Sequence, residues 1–180
     1  MNKNLYCIVG ASGTGKSTLL DYVRQNFAVG VTEVSARPFL PSHTDYVKSL
    51  TTDSQVLITQ NRFVSFIEKI LRPHPTLFSR SPVDSLAYEM ALNKAPFLQD
   101  LLIRQIQVTK PMIQYLYVPI EFEMESKDDT VRGTNTDVQK STNKAIRKIL
   151  KEQDIKFIIV SGTKEERFKM LDTIFKDYKN

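Results

Sequence analysis

One stretch near the start of the chain restricts its fold more than any other: VGASGTGKSTLL, from Val9 to Leu20. Gly10, Ala11, Ser12, Gly13, Thr14, Gly15, Lys16 and Ser17 match the pattern G-x-x-x-x-G-K-[ST] in full, and Thr18 continues into the segment that follows. The flanks suit the motif. LYCIVG reads as a short apolar strand before it, and Lys16 to about Phe27 reads as a helix after it. Glycines let such a loop turn its N–H groups inward, and the helix behind it aims its positive end at the same point. In that geometry Lys16 reaches the β- and γ-phosphates of a nucleoside triphosphate as a point charge, and the Ser17 hydroxyl is placed to hold Mg²⁺. The expected cofactors are therefore ATP and Mg²⁺.

The rest of the chain alternates strands and helices. VTEVSA from Val31 is a second strand, and PFLPSH a Pro-punctuated loop. From Asp53, apolar residues recur at helical spacing at Val56, Ile58, Phe63, Phe66, Ile67 and Ile70, with Asp53 or Thr52 as the expected cap. PTLFSRS is a third strand, followed by the helix-patterned SPVDSLAYEMAL and a helix from about Pro96 to Lys110. MIQYLYVPI is a fourth strand, Asp137 to Gln153 a helix, KFIIVSG a fifth strand and Thr163 to Lys176 a closing helix. The expectation is a three-layer α/β/α P-loop NTPase fold with a five-stranded parallel sheet and a small lid at about 121–136, all in one domain spanning 1–180.

Composition narrows the class further. The 180 residues carry a net charge of +5, and the pI is about 9.2. That balance suits anionic partners, free nucleotides and nucleic acid alike. No apolar run approaches the ~20 residues of a membrane helix, and the first apolar run leads into a glycine loop instead of a cleavage site. The single cysteine, Cys7, excludes an internal disulfide and a cysteine zinc site, and its apolar surroundings predict a buried residue. A cytoplasmic protein without a membrane partner is expected. Oligomeric state is left open. GTPases need an N-K-x-D element after a strand, which is absent. Motor ATPases carry an acid at the tip of the third strand, where this chain has PTLFSRSPVD.

Three further stretches carry a resemblance. Glu33-Val-Ser-Ala-Arg37, Arg80-Ser81-Pro82-Val83-Asp84 with Leu86-Ala87-Tyr88, and Asp128-Asp129-Thr130-Val131-Arg132 occur in that order, and VSGTKEER follows. The chain resembles a family of small P-loop kinases and ATPases of phages and bacteria, related to the ribosylnicotinamide kinase domain. Deoxynucleoside and deoxynucleotide kinases share the layout. The resemblance implies roles. Glu33 would take or orient the proton of an attacking hydroxyl. Arg37 would hold an anionic part of the acceptor, and Arg80 would grip a phosphate bidentately. Asp84 would cap its helix or touch Mg²⁺ or substrate. Arg132, in the lid, would reach the γ-phosphate. Ser161-Gly162-Thr163 would lodge the adenine or cap the last helix. Phe39, Phe63, Phe66 and Tyr88 are candidates to stack on an acceptor base. His43 and His74 receive no role. Lys140, Lys144, Arg147 and Lys148 form a solvated helix face that can also support the lid or touch nucleic acid. One departure stands out: Ser79 occupies the position where the family has an acid.

The reading that follows is an ATP-dependent kinase acting on a nucleoside or nucleotide, with a deoxynucleotide favoured. A kinase acting on a hydroxyl of DNA and a nucleotide-sensing ATPase are the alternatives.

Overall fold

In the three central strands of a five-stranded sheet, successive side chains turn to opposite sides, and both sides are buried. A computed structural model describes residues 4–33, 51–71, 74–93, 95–121 and 136–179. Its strands are β1 (Leu5–Val9), β2 (Gly30–Glu33), β3 (Thr76–Ser79), β4 (Ile113–Tyr117) and β5 (Phe157–Ile159). They form a parallel sheet in the order β2-β3-β1-β4-β5. Six α-helices cover it among the described residues: α1 (Lys16–Asn26), α2 (Thr52–Ile70), α3 (Pro82–Leu92), α4 (Leu98–Thr109), α5 (Thr136–Glu152) and α6 (Lys164–Ile174).

The alternation sorts the core into two layers. Cys7, Val9, Phe78, Tyr115 and Tyr117 pack with Phe66, Leu86, Leu102, Ile106 and Ile146 of α2 to α5. Ile8, Leu77 and Leu116 pack with Leu19, Leu20 and Val23 of α1 and Leu171 of α6. Central strands buried on both faces read as continuous apolar runs, which is why they were visible in the sequence. The result is the expected three-layer α/β/α fold. Cys7 is fully buried, and burial, with the nearby Asp84 charge, pushes its thiol well above the ordinary value.

The topology creates a crevice. After β1 the chain crosses to the α1 layer, and after β3 it crosses to the α3 layer, on the other face. Loops leaving adjacent strands in opposite directions open a cleft at the strand C-termini, where ligands bind in open α/β sheets.

Two expectations are corrected here. Helix α2 is capped neither by Asp53 nor by Thr52, but by Thr51, whose hydroxyl accepts from the Ser54 N–H at 3.1 Å. Asp53 lies in the first turn, where its charge suits the helix dipole. In the same helix Ile67 is 40% exposed, whereas Gln55, Thr59 and Arg62 are buried. The inward face of α2 is thus partly polar, with Arg62 donating to the Ser85 hydroxyl of α3 at 3.1 Å. The resemblance motif 128–132, Arg37, Phe39, His43 and nearly all of the lid segment, including Arg132, lie outside the described residues.

Candidate active site

The glycine loop joins β1 to α1 and owes its shape to two steric facts. A Cβ on Gly10 would stand 2.6 Å from the Val118 carbonyl oxygen, so only glycine lets the loop leave β1 this close to the end of β4. Gly15, the residue before α1, has φ 86°, a left-handed conformation that other residues adopt at a cost.

Side chains distant in sequence then hold the loop by its carbonyls. The Gln139 amide of α5 donates to the Ser12 carbonyl at 2.7 Å. Arg167 of α6, 3% exposed, donates to the Thr14 carbonyl at 2.7 Å and to the Gly162 carbonyl at 3.0 Å. Its remaining nitrogen pairs with Glu121, whose carboxylate also accepts from the Gly162 N–H at 2.8 Å. Because a trans peptide points its C=O and the next N–H in opposite directions, drawing the Ser12 and Thr14 carbonyls outward turns the Gly13 and Gly15 N–H groups the other way. The Lys16 ammonium, buried within the loop, donates to the Gly10 carbonyl at 2.8 Å and to the Ala11 carbonyl. A cation, a helix N-terminus and oriented amides converge there, the requirements of a phosphate cradle.

Beside the loop lies a cleft of about 330 Å³, between Thr18 and Leu19 of α1 and Thr163 and Lys164 of α6. Thr163 caps α6 in a reciprocal box with Glu166, so the cap and the cleft wall are the same residue.

Across the crevice stands the loop after β3. Ser81 caps α3 and accepts from the Val83 N–H at 3.2 Å. The fully buried Asp84 accepts from the Ser81 N–H at 2.9 Å and hydroxyl at 3.1 Å. Its other oxygen accepts from the Gly10 N–H at 3.4 Å. Asp84 therefore caps its helix and ties it to the start of the glycine loop. Arg80 has φ 73°, a left-handed backbone unusual for a long side chain. Its guanidinium lies 5.7 Å from the centre of the Tyr88 ring. Burial pushes the Tyr88 phenol up, but the Arg80 charge and hydrogen bonds from Ser12 and Arg80 outweigh it, and the pKa falls below its ordinary value. Tyr88 thus bridges Arg80 to the glycine loop.

Glu33 ends β2 in register with Ser79 of β3, which is itself in register with Ile8 of β1. With adjacent strands about 4.8 Å apart, the exposed Glu33 stands two strands from the glycine loop, at the same edge of the sheet. Ser79 is buried on the α1 side, and its hydroxyl has no hydrogen-bond partner among the described residues. A neutral hydroxyl therefore occupies the place of the family's acid. Mg²⁺ keeps several waters and takes only one or two protein ligands besides substrate phosphates. The exposed Ser17 hydroxyl in the first turn of α1 fits that demand. No cluster of three metal-binding side chains exists among the described residues.

The structure therefore brings together Gly10 to Thr18, Glu33, Arg80 and Asp84 at one edge of the sheet, and Arg37 and Arg132 lie outside the described residues. Sequence reasoning missed Gln139, Glu121 and Arg167. Arg167 was visible as part of VSGTKEER, but two of its partners, Glu121 and Thr14, are 46 and 153 residues away, and helical spacing cannot report such contacts.

A family model described as an AAA domain matches residues 5–167. The chain belongs to that family, and its fold is that of the small P-loop kinases. No curated protein matches the chain in sequence. Among solved structures, thymidylate kinase from Candida albicans is 15% identical, with a TM-score of 0.66, over 96% of this chain and 91% of that one. Deoxyadenosine kinase from M. mycoides, solved with the products dCMP and dCDP, is 12% identical, with a TM-score of 0.68, over 96% of this chain and 98% of that one. NadR in complex with NR is 15% identical, with a TM-score of 0.75, over 97% of this chain. This chain spans about half of that NadR chain, 51% of its length. At such identities the likeness is one of fold. Among the described residues no helix is long and apolar enough to cross a membrane.

Proposed function

We propose that the chain is an ATP-dependent phosphotransferase, acting as one unit in the cytoplasm, that moves the γ-phosphoryl group of ATP to a nucleoside or nucleotide, a deoxynucleotide first among them. The observation that carries this reading is the pairing of a clamped glycine loop with Glu33 and Arg80 across the β1–β3 crevice. A donor site alone would serve any NTPase. A carboxylate and a guanidinium facing it at the same sheet edge suit a second, anionic or hydroxyl-bearing substrate. The solved structures of similar fold support the choice of acceptor, since two of them are kinases of thymidylate and deoxyadenosine.

In this reading ATP lies along the glycine loop, with its base in the cleft between α1 and α6. Lys16 leaves the Gly10 and Ala11 carbonyls for the β- and γ-phosphates. Ser17 would hold Mg²⁺, which neutralises charge on those phosphates when bound. The acceptor oxygen attacks phosphorus in line, the bond to the β–γ bridging oxygen breaks, and ADP leaves. Where the acceptor is a hydroxyl, its proton passes to Glu33; where it is a phosphate, the attacking oxygen is already ionised, and Glu33 orients a hydroxyl of the acceptor's sugar. Arg80, fixed over Tyr88, binds the acceptor's anionic part, and Arg37 and Arg132 add charge from the segments after β2 and β4. The buried polar face of α2, Gln55, Thr59 and Arg62, supports a polar acceptor moiety beside Ser85.

The test is transfer of labelled γ-phosphate from ATP·Mg²⁺ to a panel of nucleosides, deoxynucleoside monophosphates, nicotinamide riboside, 5′-hydroxyl oligonucleotides and hydroxymethylated duplex DNA. Label on a nucleoside or nucleotide is the expected result. Label on DNA alone would move the acceptor to a DNA hydroxyl, and label on nothing while ATP binds would leave a nucleotide-sensing ATPase.

A further inference from the structure

A second cleft, of about 410 Å³, opens on the α5 side of the sheet, away from Glu33 and Arg80. It is lined by Ile120, just past β4, and by Lys140, Asn143, Lys144 and Arg147 of α5. The three cations follow one another at spacings of four and three residues, so they line one face of the helix over about 10 Å. All three are exposed, and among the described residues none is in an ion pair, whereas the neighbouring Lys148 is paired with Glu152 at 3.8 Å. The charge is concentrated here: residues 136–156 carry six Lys and Arg against three Asp and Glu, three of the chain's net +5.

The apolar surroundings are unusual for a solvated helix face. Phe157 and Ile159 of the edge strand β5 are in register with Tyr115 and Tyr117, so they project to the α5 side. They are 38% and 49% exposed. Phe157 stands edge-on to the Tyr117 ring, with centroids 5.9 Å apart. The Tyr117 hydroxyl in turn donates to the Asn143 side-chain oxygen at 2.8 Å, which leaves the Asn143 amide as a donor in the cleft wall. A row of cations thus runs beside a shelf with an exposed aromatic ring. Gln139, one residue before the row begins, holds the glycine loop, so the row starts at the rim of the donor site.

We infer that this face binds single-stranded nucleic acid, with its backbone along Lys140, Lys144 and Arg147 and a base against Phe157. The cations are strung along the helix and do not converge on one point, which suits successive phosphodiesters better than one compact anion. An aromatic platform beside a basic track is how sequence-tolerant single-strand binding is built. The face lies on the β4–β5 side of the glycine loop, opposite the acceptor residues, so the strand is a partner held beside the donor site and not the phosphoryl acceptor. The inference does not depend on the kinase reading.

The test is fluorescence anisotropy of a labelled oligothymidylate of roughly 16 nucleotides with the full chain, without ATP, across a salt series. Neutralising three phosphates gives a slope of log K against log salt of about −2. Lys144→Ala should make that slope shallower by about 0.7. The Lys140→Glu, Lys144→Glu, Arg147→Glu variant should bind more than about tenfold more weakly with a slope near zero. Phe157→Ala should weaken binding by about tenfold without changing the slope. Lys169→Glu with Lys176→Glu, exposed cations of the opposite layer, should leave the slope unchanged. Lys16→Ala should bind the oligonucleotide like the parent chain, which separates this result from any failure of phosphoryl transfer. Equal binding by the triple variant would overturn the inference. So would inorganic polyphosphate displacing the oligonucleotide at equal charge while Phe157→Ala has no effect, since the face would then recognise charge alone.

Discussion

On the β4–β5 side of the glycine loop, Gln139, Arg167 and Glu121 tie backbone carbonyls and a neighbouring loop into a network of short hydrogen bonds. On the β2–β3 side, Glu33 is exposed and Arg80 is half-buried over a tyrosine; among the described residues, Asp84 reaches the Gly10 N–H at 3.4 Å and Tyr88 hydrogen-bonds with Ser12 across the crevice. Among the described residues, one flank grips the loop by its carbonyls, and the other presents Glu33 exposed at the end of a strand. The contrast follows from the chemistry proposed for each. A triphosphate is the same in every turnover and rewards a preformed cradle. An acceptor must enter and leave beside it, so its groups stand at the ends of strands and not inside a clamp.

The contrast can be tested from either flank. Lys16→Ala should reduce phosphoryl transfer by about 10³-fold, the scale of losing one electrostatic contact to transition-state charge. Steady-state transfer of label reads it, and undiminished transfer would detach the loop from the chemistry. Glu33→Gln should lower kcat by about 10²-fold while leaving ATP affinity unchanged, because Glu33 stands on the β2–β3 flank. Calorimetric ATP titration separates the two effects, and a matching loss of ATP binding would erase the distinction between flanks. Arg167→Leu should destabilise the fold by about 2 kcal/mol, since it removes charged hydrogen bonds to two carbonyls and strips Glu121 of its partner. Thermal melting measures the loss, and ATP affinity should fall with it by about tenfold.

The smallest effect concerns Glu89 of α3, away from both flanks. Its carboxylate is fully buried, one oxygen accepts from the Ala95 N–H at 2.8 Å, and the other has no partner among the described residues. Burial raises its pKa above the ordinary 4.5. A raised acid favours the fold below its unfolded value, and that contribution is lost as pH rises through the folded one. Glu89→Gln should therefore raise stability by about 1 kcal/mol at neutral pH, and the advantage should vanish in acid below the ordinary 4.5. Melting at the two pH values checks it, and an advantage that persists in acid would place the cause elsewhere.

Much of the donor flank was legible in the sequence, because a glycine loop between an apolar strand and a helix is a local pattern. The sheet was legible for the same reason: LYCIV, TLFS and IQYLY are apolar runs whose neighbours break them. The clamps were not. Gln139 and Arg167 look like any polar residue on an amphipathic helix, and only the fold brings α5 and α6 to the loop. Arg80 and Asp84 were legible through a resemblance, but the sequence did not reveal that Asp84 would reach Gly10 or that Tyr88 would lie under Arg80. The cap at Thr51 was missed by one residue, since Thr51, Thr52 and Asp53 are all capable caps. The polar inner face of α2 was missed because apolar periodicity cannot report polar side chains that are buried against a neighbouring helix, as Arg62 is against Ser85.

The most direct measurement is the partition of γ-phosphate between acceptor and water. Single-turnover reactions with labelled ATP, Mg²⁺ and the four deoxynucleoside monophosphates would be followed for both products, with the parent chain and with Lys16→Ala. The account predicts label on at least one monophosphate in excess of released phosphate, and neither product from the variant. Released phosphate without labelled acceptor, or transfer that survives in Lys16→Ala, would contradict it.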